Sequence, residues 1–333
     1  MIELPIDYQF SSVDRDALRD KLLNIKVNPY KNYAEFEVRI DELMRNNLVP
    51  SSFVEFCEFK READLFEEPY VFLRGCPVDP SLPYLDFDEP VIDKRNRKLT
   101  YVAEGFLLLY AKSMHQEPIG YANVNDGDIF QDIHPKRDLI ASQSQKALKP
   151  IFFHKDLANH FVRPDWVNIL GLRSSVENEV YTSFVRNKDL LNELDAETQS
   201  ILRSAEFYTP FDDLTMYKSA VQLDNADMHP ILGGATDTDI RFFENRTEGK
   251  TPRAEQAVAR LIEVLHRLKK RVLIQSGDLL GSANNDCLHN KDVYVVRDEK
   301  ALKERWLMKT VNVRSLHDHQ AHFIEGRPRI VRG

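Results

Sequence analysis

The chain has 333 residues, of which 42% are hydrophobic, enough for a sizeable packed core. Its formal charge of −8 and pI of about 5.7 disfavour a nucleic-acid partner or an anionic membrane, since both require basic patches. No apolar run is long enough to span a bilayer and the first residues do not resemble a signal peptide, so we expect a cytoplasmic protein that acts on small molecules.

The first part of the chain, residues 1–115, is predicted to be mainly helical. Apolar residues at helical spacing indicate amphipathic helices over residues 14–24 and 33–45. Residues 69–75 form a predicted strand that glycine ends, and a proline-rich loop follows. The segment 99–114 is apolar on several sides, which is typical of a buried helix.

From residue 116 onward short strands predominate, and a helix near 252–270 interrupts them. Thr251-Pro252 gives that helix a cap and a first-position proline, and a strand, a turn and a second strand are predicted directly after it. This pattern favours a single α+β domain whose core is a double-stranded β-helix, or jelly roll. The shorter predicted strands cover residues 120–123, 129–133, 151–153, 166–172, 206–209, 240–243 and 293–296.

The last predicted strand, residues 305–313, carries positive charge on its apolar face. Arg305 and Lys309 alternate onto the same side as Leu307 and Val311. A strand that turns cations inward is expected to meet an anion there.

The triplet His154-Lys155-Asp156 follows an apolar, strand-like run. Residues two apart on an extended segment point to the same side, so His154 and Asp156 could hold one metal ion while Lys155 faces away. His289, in a polar segment that we interpret as a turn, would complete a 2-His-1-carboxylate set. That set suits non-haem Fe(II) and leaves coordination positions open. From the residues alone, the alternative is a histidine with a structural role.

Other groupings of histidines, acids and cysteines favour ordinary roles. His115-Gln116-Glu117 repeats the triplet pattern, but it follows a helical run. Residues 317–319 with His322 are interpreted as a solvated tail rather than a zinc site, and His160 as a polar residue at a strand or loop edge. The cysteines lack CxxC spacing and are expected to be reduced thiols: Cys57, Cys76 and Cys287.

Several segments, taken in order and spacing, resemble a known family. They are residues 71–75, 121–127, 154–156, 231–234, 239–242, 277–280 and 305–307. Together they resemble the Fe(II)/2-oxoglutarate-dependent oxygenases of the clavaminate synthase-like group, which includes hydroxylases of free arginine, asparagine and lysine. The resemblance spans most of the chain and implies a distorted double-stranded β-helix with helical additions.

The resemblance also implies roles for individual residues. It assigns the iron to His154, Asp156 and His289, although several free-arginine and free-asparagine hydroxylases of the group have Glu where this chain has Asp156. Arg305 would pair with the distal carboxylate of 2-oxoglutarate. Because the segment from His289 to Arg305 is longer than in the arginine and asparagine hydroxylases, Lys309 is a second candidate for that anchor. Two hydroxyls would contact the same co-substrate: Ser144 and Thr182.

For the substrate, the resemblance implies that Asn123 and Asn125 contact the α-amino or α-carboxylate group. Asp237 and Asp239 fall where arginine hydroxylases of the group place two acids against the guanidinium, and they alternate onto one face. From the residues alone this segment is an Asx-rich turn that enters a strand. Glu177 is a further acidic candidate.

The function expected from the resemblance is hydroxylation of an unactivated carbon of a free basic L-amino acid with Fe(II), 2-oxoglutarate and O2. L-Lysine, at carbon 3 or 4, is the first choice, and L-arginine or another free amino acid is the alternative. The partner is then a small molecule, with neither nucleic acid nor membrane and with a possible homo-oligomer. A zinc-dependent hydrolase and a non-catalytic binding protein of the same fold stay open.

Overall fold

The computed structural model describes residues 2–210, 227–234 and 236–332. Helices and strands alternate irregularly along these ranges. The helices are α1 (Ser12–Leu23), α2 (Tyr33–Arg45), α3 (Ser51–Arg61), α4 (Pro90–Arg97), α5 (Val102–Ser113), α6 (Asn187–Glu193), α7 (Ala196–Leu202), α8 (Pro252–Leu268) and α9 (Glu299–Lys303). The strands are β1 (Ile2–Glu3), β2 (Tyr8–Gln9), β3 (Tyr70–Arg74), β4 (Glu117–Tyr121), β5 (Gln131–Ile133), β6 (Ile151–His154), β7 (Trp166–Arg173), β8 (Glu179–Arg186), β9 (Phe207–Tyr208), β10 (Met228–His229), β11 (Glu248–Gly249), β12 (Lys270–Val272), β13 (Leu279–Ala283), β14 (Cys287–Val295), β15 (Trp306–Val313), β16 (Phe323–Ile324) and β17 (Arg327–Val331).

Local sequence signals account for the helix boundaries. The Ser11 hydroxyl accepts a hydrogen bond from the Asp14 amide at the start of α1, and Thr251 caps α8 in the same way, with Pro252 in the first turn. Helix α5 is almost wholly buried, as its apolar composition predicts. Helices α1, α2 and α3 pack around it through their apolar faces.

Two sheets form the body of the protein. The smaller has the strand order β1-β12-β8-β14-β6, and the larger has the order β16-β17-β4-β15-β7-β13-β3-β2, with β5 added to β15. A mixed helix-and-sheet fold is therefore confirmed, and we keep the double-stranded β-helix as our interpretation of the two large sheets. The strands β10, β9 and β11 make a separate small sheet.

Alternate residues of the last long strand, β15, lie in two different apolar clusters. Trp306 and Met308 lie in the same apolar cluster as α5, whereas Leu307 and Val311 belong to the cluster between the two sheets. Lys309 shares the side of Leu307 and Val311, as predicted, and faces a cavity there. The N-terminal helices and the large sheet thus share one core.

The structure differs from the predicted elements at several places. His289 lies within strand β14 and not in a turn. Residues 240–243 form no strand; Ile240 and Phe243 make single bridges to Leu232 and His154. Helices α3 and α4 and the strand β8 were not predicted. Among the described residues, no helix is both long and apolar enough to cross a membrane.

Candidate metal centre and its cavity

Strand register brings the two candidate histidine ligands together. Strands β6 and β14 are antiparallel neighbours, and His154 lies directly opposite His289 in their pairing. Side chains at opposed positions of adjacent strands point to the same face, so the imidazoles approach each other. Their ring centroids are 4.4 Å apart although 134 residues lie between the two histidines in the sequence.

Hydrogen bonding and stacking fix the orientation of His154. Its Nδ1 lies 2.8 Å from the Phe152 carbonyl oxygen, to which it can donate, and this leaves Nε2 as the free donor atom for a metal. The Phe243 ring stacks on the imidazole with centroids 4.9 Å apart. The backbone and one aromatic ring therefore hold the imidazole in a single orientation.

Asp156 lies in the turn just after β6, where Asn284 holds its backbone. The Asp156 amide donates to Asn284 Oδ1 at 3.0 Å, and Asn284 Nδ2 donates back to the Asp156 carbonyl at the same distance. One carboxylate oxygen, Oδ1, lies 3.4 Å from His154 Nε2 and 3.7 Å from His289 Nε2. The turn thus aims the carboxylate at the two imidazoles.

Charge favours the deprotonated, ligating forms of these groups. Burial alone would raise the pKa of Asp156, but the Lys309 ammonium, 3.0 Å from Oδ2, and hydrogen bonds from the two histidines hold that pKa well below its usual range. Burial, and then the neighbouring His154, lower the pKa of His289. A carboxylate and a neutral imidazole are the forms that bind a metal ion.

The three side chains make one compact donor set. Their ligand atoms all lie within 4.8 Å of one another, and among the described residues this is the single group of three such side chains close enough to hold a metal ion. His115 instead meets Arg61, with Nε2 2.9 Å from the guanidinium. Two imidazoles and one carboxylate suit non-haem Fe(II).

The donor set opens into a cavity of about 1200 Å³ between the two large sheets. The smaller sheet contributes His154, Thr182 and His289, and the larger contributes Leu307 and Lys309. The cavity is also lined by further residues that the sequence predicted for co-substrate or substrate: Asn123, Asn125, Ser144 and Arg305.

Two cations, one buried and one half-buried, face this cavity without a counter-ion among the described residues. Arg305 is 8% exposed, its Nε has no hydrogen-bond partner, and no described carboxylate pairs with it. Burial lowers the pKa of Arg305 to about 10. Burial, and then the nearby Arg305, lower the pKa of Lys291 to about 7, and its ammonium donates only to the Ala147 carbonyl at 2.6 Å. An anion between them would relieve both costs.

The strand that follows Arg305 fixes its position. The indole N–H of Trp306 donates to Asp132 Oδ1 at 3.0 Å, and the other oxygen of Asp132 lies 2.6 Å from the Lys94 ammonium. All three side chains are fully buried. Trp306 is therefore anchored on the side of the strand away from the cavity, which holds the start of β15 in place.

Three predicted acidic residues do not line the cavity. Glu177 and Asp237 are exposed to solvent. Asp239 is buried, but its carboxylate is taken up by Lys155, at 2.5 Å, and by Arg163, at 3.2 Å. The described arrangement does not bring Asp237 and Asp239 together at the cavity, because one acid is exposed to solvent and the other is paired with two cations; their joint cation site stays a prediction.

Three residues that were not predicted from the sequence also line the cavity: Gln131, Arg241 and Lys291. Lys291 is two residues after His289 on the same strand, so the period of two would have placed both on one face had β14 been predicted. The buried amide of Gln131 leaves Nε2 without a partner. Arg241 follows the Asp237–Asp239 segment, and no sequence signal distinguished it from its neighbours.

Two facing sheets with a 2-His-1-carboxylate set in the cavity between them are the arrangement of a non-haem iron centre.

No protein-family model matches the chain. Over 244 residues it is 25% identical to clavaminate synthase 2 of Streptomyces clavuligerus, across 72% of this chain and 73% of that enzyme. It is likewise 25% identical over 261 residues to L-asparagine oxygenase of Streptomyces coelicolor, across 75% and 73% of the two chains. The predicted resemblance to clavaminate synthase-like oxygenases is confirmed.

Solved structures share the fold. Asparagine oxygenase in complex with Fe(II), 2S,3S-3-hydroxyasparagine and succinate superposes with a TM-score of 0.79 at 20% identity, across 97% of this chain and 98% of that one. The non-haem iron oxygenase OrfP in complex with Fe, succinate and (3S)-hydroxy-L-Arg gives a TM-score of 0.79 at 19% identity, across 98% and 100%. The fold of this chain is therefore that of non-haem iron oxygenases.

Proposed function

We propose that this chain is an Fe(II)/2-oxoglutarate-dependent dioxygenase that hydroxylates an unactivated carbon of a free L-amino acid. The observation that carries the proposal is the donor set of His154, Asp156 and His289 within 4.8 Å, in a cavity that is also lined by a buried arginine, Arg305, with no described carboxylate partner. When bound, Fe(II), O2 and 2-oxoglutarate would supply the oxidant that converts a C–H bond to C–OH, while the co-substrate becomes succinate and CO2.

The donor set fits the metal in both charge and orientation. His154 offers Nε2 because its Nδ1 is engaged by the Phe152 carbonyl, and the lowered pKa of His289 keeps that imidazole neutral. Asp156 is held ionised. Three protein ligands on one side leave the remaining positions for a chelating co-substrate and O2. In this proposal the residues keep those positions open and orient the reactants.

Arg305 is the residue that we propose for the distal carboxylate of 2-oxoglutarate. Its guanidinium is buried beside Lys291 and has no described carboxylate partner, whereas Lys309, the other sequence candidate, is occupied by Asp156 at 3.0 Å. A guanidinium can pair with a carboxylate through two parallel hydrogen bonds. Thr182 lies opposite Lys291 in the pairing of β8 with β14, which places its hydroxyl near the same end of the cavity. Ser144 is a further lining hydroxyl.

The zwitterionic end of an amino acid would meet buried amides. Both polar atoms of the Asn125 side chain and Nε2 of Gln131 are buried without a partner, and both residues line the cavity. Unsatisfied buried amides in a native protein call for a ligand or water. We propose them, with Asn123, as partners of the α-amino and α-carboxylate groups. L-Lysine stays a prediction of the sequence, since the described acidic residues that line the cavity are a candidate metal ligand, are paired with a lysine or an arginine, or are exposed to solvent.

Succinate production tests the proposal. The protein is incubated with Fe(II), 2-oxoglutarate and a panel of free L-amino acids that includes lysine, arginine, ornithine, asparagine and glutamate, and both succinate and the mass of the amino acid are followed. We expect succinate above the amino-acid-free background and a product heavier by one oxygen atom. Activity that persists without O2 and 2-oxoglutarate would indicate a hydrolase, and ligand binding without succinate would indicate a binding protein.

A further inference from the structure

The cavity has a surplus of cations over available carboxylates. Apart from the candidate metal ligand, the described carboxylates that line it are Glu89, Asp126 and Asp138. Glu89 pairs with Lys136 at 3.0 Å, Asp126 pairs with Arg95 at 3.3 Å, and Asp138 is exposed. The described lining therefore offers no buried, uncommitted carboxylate to a positively charged substrate side chain.

Asp239, the buried one of the two acids predicted for a basic substrate, is paired inside the protein. Lys155, which faces away from the metal ligands, reaches Asp239 Oδ1 at 2.5 Å, while both terminal nitrogens of Arg163 reach Oδ2. Two cations thus surround the Asp239 carboxylate, so its charge is not available to a cationic ligand.

Arg241 is one of the cations that line the cavity. Its Nε donates to Asn159 Oδ1 at 2.7 Å, and no described carboxylate forms an ion pair with its terminal nitrogens. Burial, and then the neighbouring Arg163, lower the pKa of Arg241. The guanidinium is therefore fixed at one edge, and its terminal nitrogens make no ion pair with a described carboxylate, although Asp227 and Asp239 lie near enough to act on its pKa in the opposite direction.

The position of Arg241 places it beside the candidate metal centre. It is two residues before Phe243, whose ring stacks on His154, and both residues line the cavity. Two residues of chain span at most about 7 Å. An arginine side chain covers a comparable distance, so the guanidinium can reach a molecule held next to the metal.

We propose that the substrate carries an anionic group on its side chain, with a second carboxylate as the simplest case, and that Arg241 binds this group. The inference rests on the proposed function, since it names the class of amino acid that enters the cavity. Arg305 with Lys291 accounts for the distal carboxylate of the co-substrate, so Arg241 is left for the substrate. Its donors form a fork that matches a carboxylate.

Binding of matched acidic and neutral amino acids tests the inference independently of turnover. The protein loaded with Mn(II) and 2-oxoglutarate, without O2, is titrated calorimetrically with L-glutamate against L-glutamine, L-aspartate against L-asparagine, L-2-aminoadipate, and L-lysine. We expect at least one acidic amino acid to bind about tenfold or more tightly than its amide and than lysine, as one charge-assisted contact implies. Arg241→Gln, which can still bond to Asn159, should abolish that preference and leave amide binding unchanged, whereas Arg241→Lys should keep part of it.

Lys136→Met serves as the matched control, since Lys136 is a lining cation that already pairs with Glu89. It should leave the acidic preference intact. Equal weakening of acidic and neutral amino acids by Arg241→Gln would overturn the inference, because Arg241 would then bind a group common to all amino acids. Preference for lysine, or no binding of any acidic amino acid, would also overturn it. Failure of the proposed function is distinct: it would appear as acidic-selective binding with no succinate formed in air.

Discussion

Replacing Arg305 with methionine should have opposite effects on the empty protein and on its complex with 2-oxoglutarate. In the empty protein the guanidinium is buried beside Lys291, and no described carboxylate pairs with it. A pKa of about 10 against the ordinary 12.5 means that burial disfavours the charged form by about 3 kcal/mol. Methionine fills much of the same volume without charge. We therefore expect Arg305→Met to raise the free energy of unfolding of the ligand-free protein by about 1–3 kcal/mol.

The same substitution should weaken 2-oxoglutarate binding. Hydrogen bonds to charged groups each contribute about 1.5–3 kcal/mol, so loss of a bidentate pair should lower the affinity by about 100-fold. Urea unfolding of the ligand-free protein measures the first effect, and calorimetric titration with 2-oxoglutarate measures the second. 2-Oxovalerate, which has no distal carboxylate, should bind equally to both forms.

Arg173→Met is the control for arginine removal in general. The Arg173 guanidinium lies outside the cavity, donates to the Leu82 and Pro83 carbonyls at 2.8 and 3.1 Å, and stacks over Tyr84. Its loss should lower stability and leave 2-oxoglutarate affinity unchanged. If Arg305→Met destabilises the ligand-free protein as much as Arg173→Met does, the Arg305 guanidinium is compensated inside the fold, and the expected gain in stability is refuted.

Two further predictions concern the metal. His154→Ala should abolish binding of one Fe(II) per chain, measured by anaerobic equilibrium dialysis. His115→Asn, in the second His-x-acid triplet, should bind Fe(II) as the unmodified protein does. Equal loss of binding in both variants would contradict the assignment of His154 as a metal ligand. Asn284→Ala removes the hydrogen bonds that hold the Asp156 turn and should lower metal affinity by about 10- to 100-fold. Asn178→Ala also removes three hydrogen bonds to the backbone, at residues 297 and 298, so it should reduce stability to a similar degree without changing metal affinity.

The parts of the structure that local patterns control were predictable from the sequence. Capping at Thr251, the apolar helix α5 and the alternation along β15 follow from rules that act over a few residues, and the structure confirms them. The period-two argument also placed Lys155 away from His154 and Asp156, and Lys155 indeed turns to Asp239.

The partners of buried charges were not predictable in the same way. Nothing in the local sequence around Asp239 indicates that Lys155, 84 residues earlier, will neutralise it. Similarly, the segment around His289 is polar, which favoured a turn, yet pairing with β8 and β6 makes it a central strand of the smaller sheet. Tertiary pairing overrides local propensity in such positions. Because no strand was predicted around His289, Lys291 was not identified as a lining residue. Because the partner of Asp239 was not predictable, Asp237 and Asp239 were assigned to the substrate.

The ion pair between Lys155 and Asp239 has a consequence for how this protein could change over evolution or in the laboratory. Lys155 lies between two candidate metal ligands, while Asp239 lies two residues before Arg241, so a single buried contact ties the ligand turn to the segment that we propose reads the substrate. Substitutions that retune substrate choice at 239–241 would be transmitted to metal affinity. New specificities are therefore more accessible at lining residues outside this contact, such as Asn125.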